Sequence, residues 1–210
     1  MFIKKFTSGP IATNTYVVVS SLTREAFIID AAPESFELVY DYLVTDGLKY
    51  KAILLTHSHW DHIADVSKIK EKFEIPVYVH ALDAPNLQNP GADGLPCPLN
   101  FPQIKPDFLL EEGALLNLGN LTFQIIYTPG HSIGSVCFYE KNQHVLFSGD
   151  TLFQGSIGNI SFPTSSPNLM WSSLAKLAQL DPNTRVFPGH GSLTTIKQEH
   201  WLANAQEYFG

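Results

Sequence analysis

The sequence predicts an α/β fold in which apolar strands alternate with helices and end on polar residues along one sheet edge. Two observations predict it. Short apolar runs of strand length alternate with segments whose apolar residues recur at helical spacing. Four of the apolar runs also pass through a Gly turn or a Thr-His step into histidine or aspartate, at LLTHSHWDH, IIYTPGHS, VLFSGD and VFPGHG. Side chains placed this way sit on loops held by a rigid scaffold, where binding and catalytic groups concentrate.

In chain order, TYVVVS and EAFIID read as two β segments separated by the polar turn SSLTR. Pro33 starts a helix whose Phe36, Val39, Tyr40 and Leu43 form an apolar face. KAILLTH follows, and its run from Ala52 to Leu55 is too short for a buried helix, so it reads as a strand covered on both faces. The spacing predicts a helix over residues 62–73 and a strand at PVYVH. Between Asn86 and Pro106 the chain carries five prolines and two glycines, a long irregular loop. A loop of this length in a compact domain is often functional, so it is a candidate lid and equally a surface insertion. LTFQIIYTPGHS, GSVCFYE and HVLFSGDTLF are three further β stretches, followed by a helix over residues 168–180 and the strand TRVFPGHG.

Composition bounds the function. A chain of 210 residues suits one domain spanning 1–210, and buries roughly 70% of its unfolded surface. Net charge is −7, and the thirteen Lys and Arg residues are scattered, against a polyanion-binding role and hence against nucleic acid as a partner. No apolar run reaches membrane-spanning length, and Gly9, Pro10 and Asn14 interrupt any signal-peptide core near the start, so a cytoplasmic location is expected. Cys97 and Cys137 are forty residues apart without CxxC spacing, which points to free thiols.

The chemistry lies in the clustered polar residues. Of eight histidines, His57, His59 and His62 fall within six positions, with Asp61 between them. Imidazole and carboxylate together suit zinc or iron. With His131, Asp150 and His190 they make seven ligand-type side chains, whereas one tetrahedral ion takes three or four. Seven suits two adjacent ions sharing a carboxylate. His80, His144 and His200 lack such context and read as ordinary strand, turn and helix residues.

THSHWDH, TPGHS, FSGDTLF and PGHG, in this order, resemble the metallo-β-lactamase superfamily, and more narrowly its glyoxalase II-like branch of thioester hydrolases. The resemblance implies a four-layer αβ/βα sandwich, two mixed sheets packed face to face with helices outside. Carried over by position, it implies that His57, His59 and His131 hold one ion and Asp61, His62 and His190 a second, with Asp150 bridging. The ions are expected to be Zn2+, with Fe or Mn as alternatives. Water shared by two such ions is ionised near neutral pH, and Asp61 would orient that hydroxide for attack. A thiol of pKa ~8.5 leaves without a general acid, which favours a small-molecule thioester as substrate. Relatives carry a basic residue in the loop after GDTLF, where this chain has SIGNISFPTSSP with Asn159 and Ser161, and the helical domain that completes the glutathione pocket in longer relatives is expected to be absent. Asn159 is therefore the candidate substrate-contacting position. The same motifs also occur in persulfide dioxygenases with a single Fe(II), and a non-catalytic binding module on the same fold is a third reading.

Overall fold

The computed structural model describes all 210 residues. Two six-stranded sheets face each other. The first runs in chain order through β1 (Phe2–Ser8), β2 (Thr13–Val19), β3 (Glu25–Ile29), β4 (Lys49–Leu54), β5 (Val77–His80) and β6 (Phe108–Leu110), antiparallel up to β3 and parallel thereafter. The second comprises β7 (Leu115–Leu118), β8 (Leu121–Tyr127), β9 (Val136–Glu140), β10 (Val145–Gly149), β11 (Arg185–Pro188) and β12 (Thr194–Thr195). Its first four strands form an antiparallel meander; β11 then lies parallel to β10, and β12 antiparallel to β11.

Side-chain alternation along the strands divides the core into three layers. Tyr16, Val18, Phe27, Ile29 and Leu54 point inward and meet Phe123, Ile125, Phe138 and Phe147 of the second sheet. The opposite faces of the same strands, with Val17, Ile28 and Ile53, are covered by α1 (Ser35–Asp46), α3 (Val66–Phe73) and α4 (Ala84–Gln88). On the far side, Cys137, Leu146 and Val186 pack under α5 (Pro167–Leu177) and the C-terminal segment, which ends in α6 (Ala205–Phe209). This is the expected four-layer sandwich. Each fully buried Ile, Leu or Phe contributes about 1.5–3 kcal/mol through removal from water, so the inter-sheet layer is a rigid support for the loops at its edge. No helix is long and apolar enough to cross a membrane.

The predicted helix over residues 62–73 is two: a single turn, α2 (Trp60–Ile63), and α3. The break has a hydrogen-bond cause. The His62 carbonyl accepts the Ala31 N–H, the Asp65 N–H donates to the Ala31 carbonyl, and the Asp65 carboxylate accepts the Phe36 N–H, so this stretch is drawn onto the loop after β3. The helix predicted over residues 168–180 runs from Pro167 to Leu177, and His200 lies in a turn ahead of a short 3-10 helix (Leu202–Asn204). The Pro-rich loop begins with α4 and is pinned by the Asn86 amide oxygen, which accepts the Gly91 and Asp93 N–H groups, and by the Ile104 N–H on the Leu87 carbonyl.

Candidate metal centre

Strands β3, β4, β8, β10 and β11 deliver their C-terminal ends to one edge of the sandwich, and β2 brings its N-terminal end there. His57 follows β4, and His59 precedes the turn α2, which carries Asp61 and His62 on its first residues. His131 follows β8, Asp150 follows β10 and His190 follows β11. The seven side chains, scattered over 134 positions from His57 to His190, are brought together. Six are buried, and His190 is 24% exposed.

Their ligand atoms form three overlapping sets, each within 4.8 Å: His57, His59 and His131; His57, His62 and Asp150; and Asp61, His62 and His190. Asp150 spans the sets. Its Oδ1 lies 3.4 Å from His62 Nε2, and its Oδ2 lies 3.4 Å from both His131 Nε2 and His190 Nε2. His59 Nδ1 is 2.8 Å from His131 Nε2. His190 Nε2 is 3.3 Å from Asp61 Oδ2, which also accepts the Thr13 hydroxyl at 2.6 Å.

The fit to metal ions can be tested on the buried polar atoms. Nε2 of His57, His59 and His62 and Oδ1 of Asp150 are buried without any hydrogen-bond partner. An unsatisfied buried polar atom costs about 1–3 kcal/mol, so the cluster calls for partners, and cations held there would satisfy His57 Nε2, His62 Nε2 and Asp150 Oδ1, whereas His59 faces His131 through Nδ1. Protonation states agree at two positions: burial holds His57 far below the usual imidazole range and His59 down to about 3, leaving neutral rings with free lone pairs. At two others the field is reversed. Burial pushes His62 and His190 down, but the carboxylates of Asp61 and Asp150, joined by Asp30 at His62, outweigh it, and His190 is raised to about 9. These carboxylates select a positive charge at that point, and a divalent ion supplies one in place of the protons.

Supporting residues fix the rings. Asp30, at the end of β3, accepts the Thr56 N–H and hydroxyl, each at 2.8 Å, and faces His62 Nδ1 at 2.9 Å. The Asn159 carbonyl takes His131 Nδ1–H at 2.8 Å, which points His131 Nε2 into the cluster. Asn14 and Tyr16 of β2 both donate to the Pro188 carbonyl, and Asn14 also to that of Gly191, gripping the loop that carries His190. Gly189 permits the close approach there, since a Cβ would stand 2.1 Å from Asp150 Oδ1. Asp83 accepts the Ser58 and Gly134 N–H groups, each at 2.7 Å, and the Ser132 hydroxyl.

Asp30, Asp83, Thr13, Asn14 and Tyr16 were not singled out from the sequence. Asp30 had a usable signal, since FIID ends an apolar strand on a carboxylate as VLFSGD does. Asn159 acts on the cluster through its backbone; its exposed side chain accepts the Ser161 N–H at 2.7 Å. Of the Pro-rich loop, Asn86, Ala92 and Asp93 border a cleft of about 60 Å3 beside His59, whereas Leu99 to Pro102 face α3 on the other side. His80 stacks on Tyr127, outside the cluster.

Comparison with known proteins gives a consistent set of likenesses. The model of the metallo-beta-lactamase superfamily matches residues 8–190. Hydroxyacylglutathione hydrolase of Francisella tularensis subsp. novicida is 31% identical over 179 residues, 85% of this chain and 60% of that protein. Among solved structures, BLEG-1 B3 metallo-beta-lactamase is 39% identical with a TM-score of 0.87, covering 94% of this chain and 96% of that one. TTHA1623 in a di-iron-bound form is also 39% identical, with a TM-score of 0.80 over 93% and 96% of the two chains.

Proposed function

Because the chain belongs to the metallo-β-lactamase superfamily, we propose that it is a metal-dependent hydrolase that cleaves a thioester in the manner of the glyoxalase II-like enzymes. The observation that carries the reading is the sheet-edge cluster of seven ligand-type side chains, in which His57 Nε2, His62 Nε2 and Asp150 Oδ1 are buried without hydrogen-bond partners. In the proposed assignment His57, His59 and His131 hold one ion, Asp61, His62 and His190 the other, and Asp150 lies between them. When bound, the two ions would supply a water ionised near neutral pH and polarise the substrate carbonyl. Zinc suits the donor set, and the di-iron form of TTHA1623 supports iron as an occupant.

The protein's own groups do the rest. Asp61, whose carboxylate the neighbouring histidines hold below the usual range against the effect of burial, is ionised and is fixed by the Thr13 hydroxyl. It accepts a hydrogen bond from the attacking water and orients it. No protein nucleophile competes: Cys137 is buried on β9, its thiol pushed up to about 11 by burial, and Cys97 lies in the Pro-rich loop. The thiol product departs as a thiolate, without a general acid.

The test is metal analysis of the purified protein, together with hydrolysis assays on lactoylglutathione, an acyl-coenzyme A and a chromogenic cephalosporin. Two ions per chain and thioester cleavage well above cephalosporin cleavage are expected; the opposite preference overturns the reading. His57, His62 and Asp150 also form a two-histidine, one-carboxylate set, the pattern of mononuclear Fe(II) oxygenases. One iron per chain with oxygen uptake on glutathione persulfide would establish that alternative instead.

A further inference from the structure

Large apolar side chains that the core does not use lie on or beside the loops that carry the cluster. Ile133 is 41% exposed, two residues beyond His131, and with Leu82, 48% exposed, it borders the cleft beside His59. Leu193, 45% exposed, stands three residues after His190. Ile11, 50% exposed, precedes Thr13, whose hydroxyl reaches Asp61 and whose backbone bridges to His190. Two aromatic rings complete the wall: Phe162 lies 5.5 Å from both His59 and His131, and Phe153 lies 6.0 Å from His190.

Singly exposed apolar residues are ordinary, but a group of them around a polar cleft marks a binding surface. Cationic groups are missing from its contacts. None of the ion pairs of the cluster involves Lys or Arg. Lys5 donates from its exposed ammonium to the Gly191 carbonyl at 3.1 Å, next to His190. Asn159 spends its side chain on the Ser161 N–H.

We propose that this mouth selects thioesters whose groups on both sides of the scissile bond are uncharged and largely apolar, in preference to thioesters bearing carboxylates such as those of glutathione. The inference rests on the thioester hydrolase reading and specifies its substrate class. Ile133 and Leu82 meet one side of the ester, Leu193 and Ile11 the other, while the two phenylalanines exclude water from the histidines between them. A carboxylate brought to the Ile133 and Leu82 side of this rim loses hydration without a Lys or Arg among the residues of that cleft, and on the other side meets only the exposed Lys5 ammonium, whereas an alkyl group gains by leaving water.

The experiment compares S-butyryl-N-acetylcysteamine with S-butyrylglutathione and with the dimethyl ester of the latter on the metal-loaded full chain, which fixes the acyl group; the dimethyl ester removes the two carboxylates at nearly constant size and is expected to behave as the uncharged ester does. The expected kcat/KM favours the uncharged ester about tenfold, and Ile133→Lys and Leu193→Lys each move that ratio about tenfold toward the glutathione ester, a change worth 1.4 kcal/mol. A preference of the unsubstituted protein for the glutathione ester, or a ratio unmoved by both substitutions, overturns the proposal. A second readout does not depend on turnover: N-acetylcysteamine and glutathione are titrated calorimetrically into the same metal-loaded protein. If neither ester is cleaved, the hydrolase reading fails by itself, and the titration decides the mouth, with tighter binding of N-acetylcysteamine supporting it and tighter binding of glutathione overturning it.

Discussion

Replacement of Asp83 by alanine tests whether the cluster depends on a carboxylate that touches none of the seven ligand side chains. Asp83 is 3% exposed and precedes α4. One of its oxygens accepts the N–H of Ser58, which lies between His57 and His59, and the other accepts the N–H of Gly134 and the hydroxyl of Ser132, next to His131. It therefore ties the loop after β4 to the loop after β8. Alanine removes the acceptor and leaves the buried Ser58 N–H and the Ser132 hydroxyl short of a partner, while the Gly134 N–H keeps Ser132 Oγ at 3.1 Å; each unpaired donor costs about 1–3 kcal/mol. Part of this is offset, because burial raises the Asp83 carboxyl above its usual range and its desolvation is relieved on removal. The net expectation is a loss of at least about 2 kcal/mol, a large fraction of the 5–15 kcal/mol by which native proteins are stable. Urea unfolding after chelation measures it. Competition with a chromophoric chelator should also show metal affinity weakened about 10–100-fold, the usual effect of removing a group that orients a ligand. Asp83→Asn, which retains one acceptor oxygen, should fall between the two. Stability within about 0.5 kcal/mol of the unsubstituted protein, together with unchanged metal affinity, would refute the reasoning, because that is the range of a surface substitution without structural role.

His131→Ala should reduce metal content toward one ion per chain, since it removes one of three histidines from the first set; elemental analysis that still finds two ions would contradict the proposed assignment. Asp61→Asn should lower kcat far more than it changes KM, because Asp61 orients the attacking water without touching the acyl group. After chelation, the His190 imidazole, raised to about 9 by the Asp150 and Asp61 carboxylates against the effect of burial, stabilises the fold fully below its ordinary 6.5 and loses that contribution as pH rises through about 9. The stability difference between the chelated protein and His190→Gln should therefore shrink from pH 6.5 to pH 9, and urea midpoints differing by a constant amount over that window would argue against the carboxylate field.

The succession of strands and helices and all seven cluster residues were legible because they follow from local signals, whereas the four-layer packing was implied by the family resemblance. A buried strand shows as an apolar run, and a residue that leaves the strand end at a Gly turn is marked by the turn. The edge strands were harder. FIKKFTS of β1 is largely exposed, with Lys4 and Lys5 on it, and β6 and β12 are three and two residues long, so pairing partners hold them in the sheets more than their own composition does. The helix break at Ala64 and Asp65 was hidden for the same reason. Its cause is the segment from the end of β3 into α1, about thirty positions away, which offers Ala31 and Phe36 as hydrogen-bond partners.

The residues that were missed share a property: each works at a distance along the chain. Tyr16 reaches the Pro188 carbonyl across 172 positions and Asn14 reaches Gly191 across 177, so the second strand of the first sheet sets the loop that presents His190 from the second. Tyr16 can do so because its ring is wedged between the sheets, 5.3 Å from Phe147 and 5.7 Å from Phe187. The two halves of the sandwich are thus joined at the cluster by the same side chain that joins their cores. It follows that the alignment of the inter-sheet layer sets the separation between Asp61 on one sheet and His190 on the other. A substitution such as Phe147→Leu, remote from any ligand atom, should act on the site by shifting the register in which the two sheets deliver their ends.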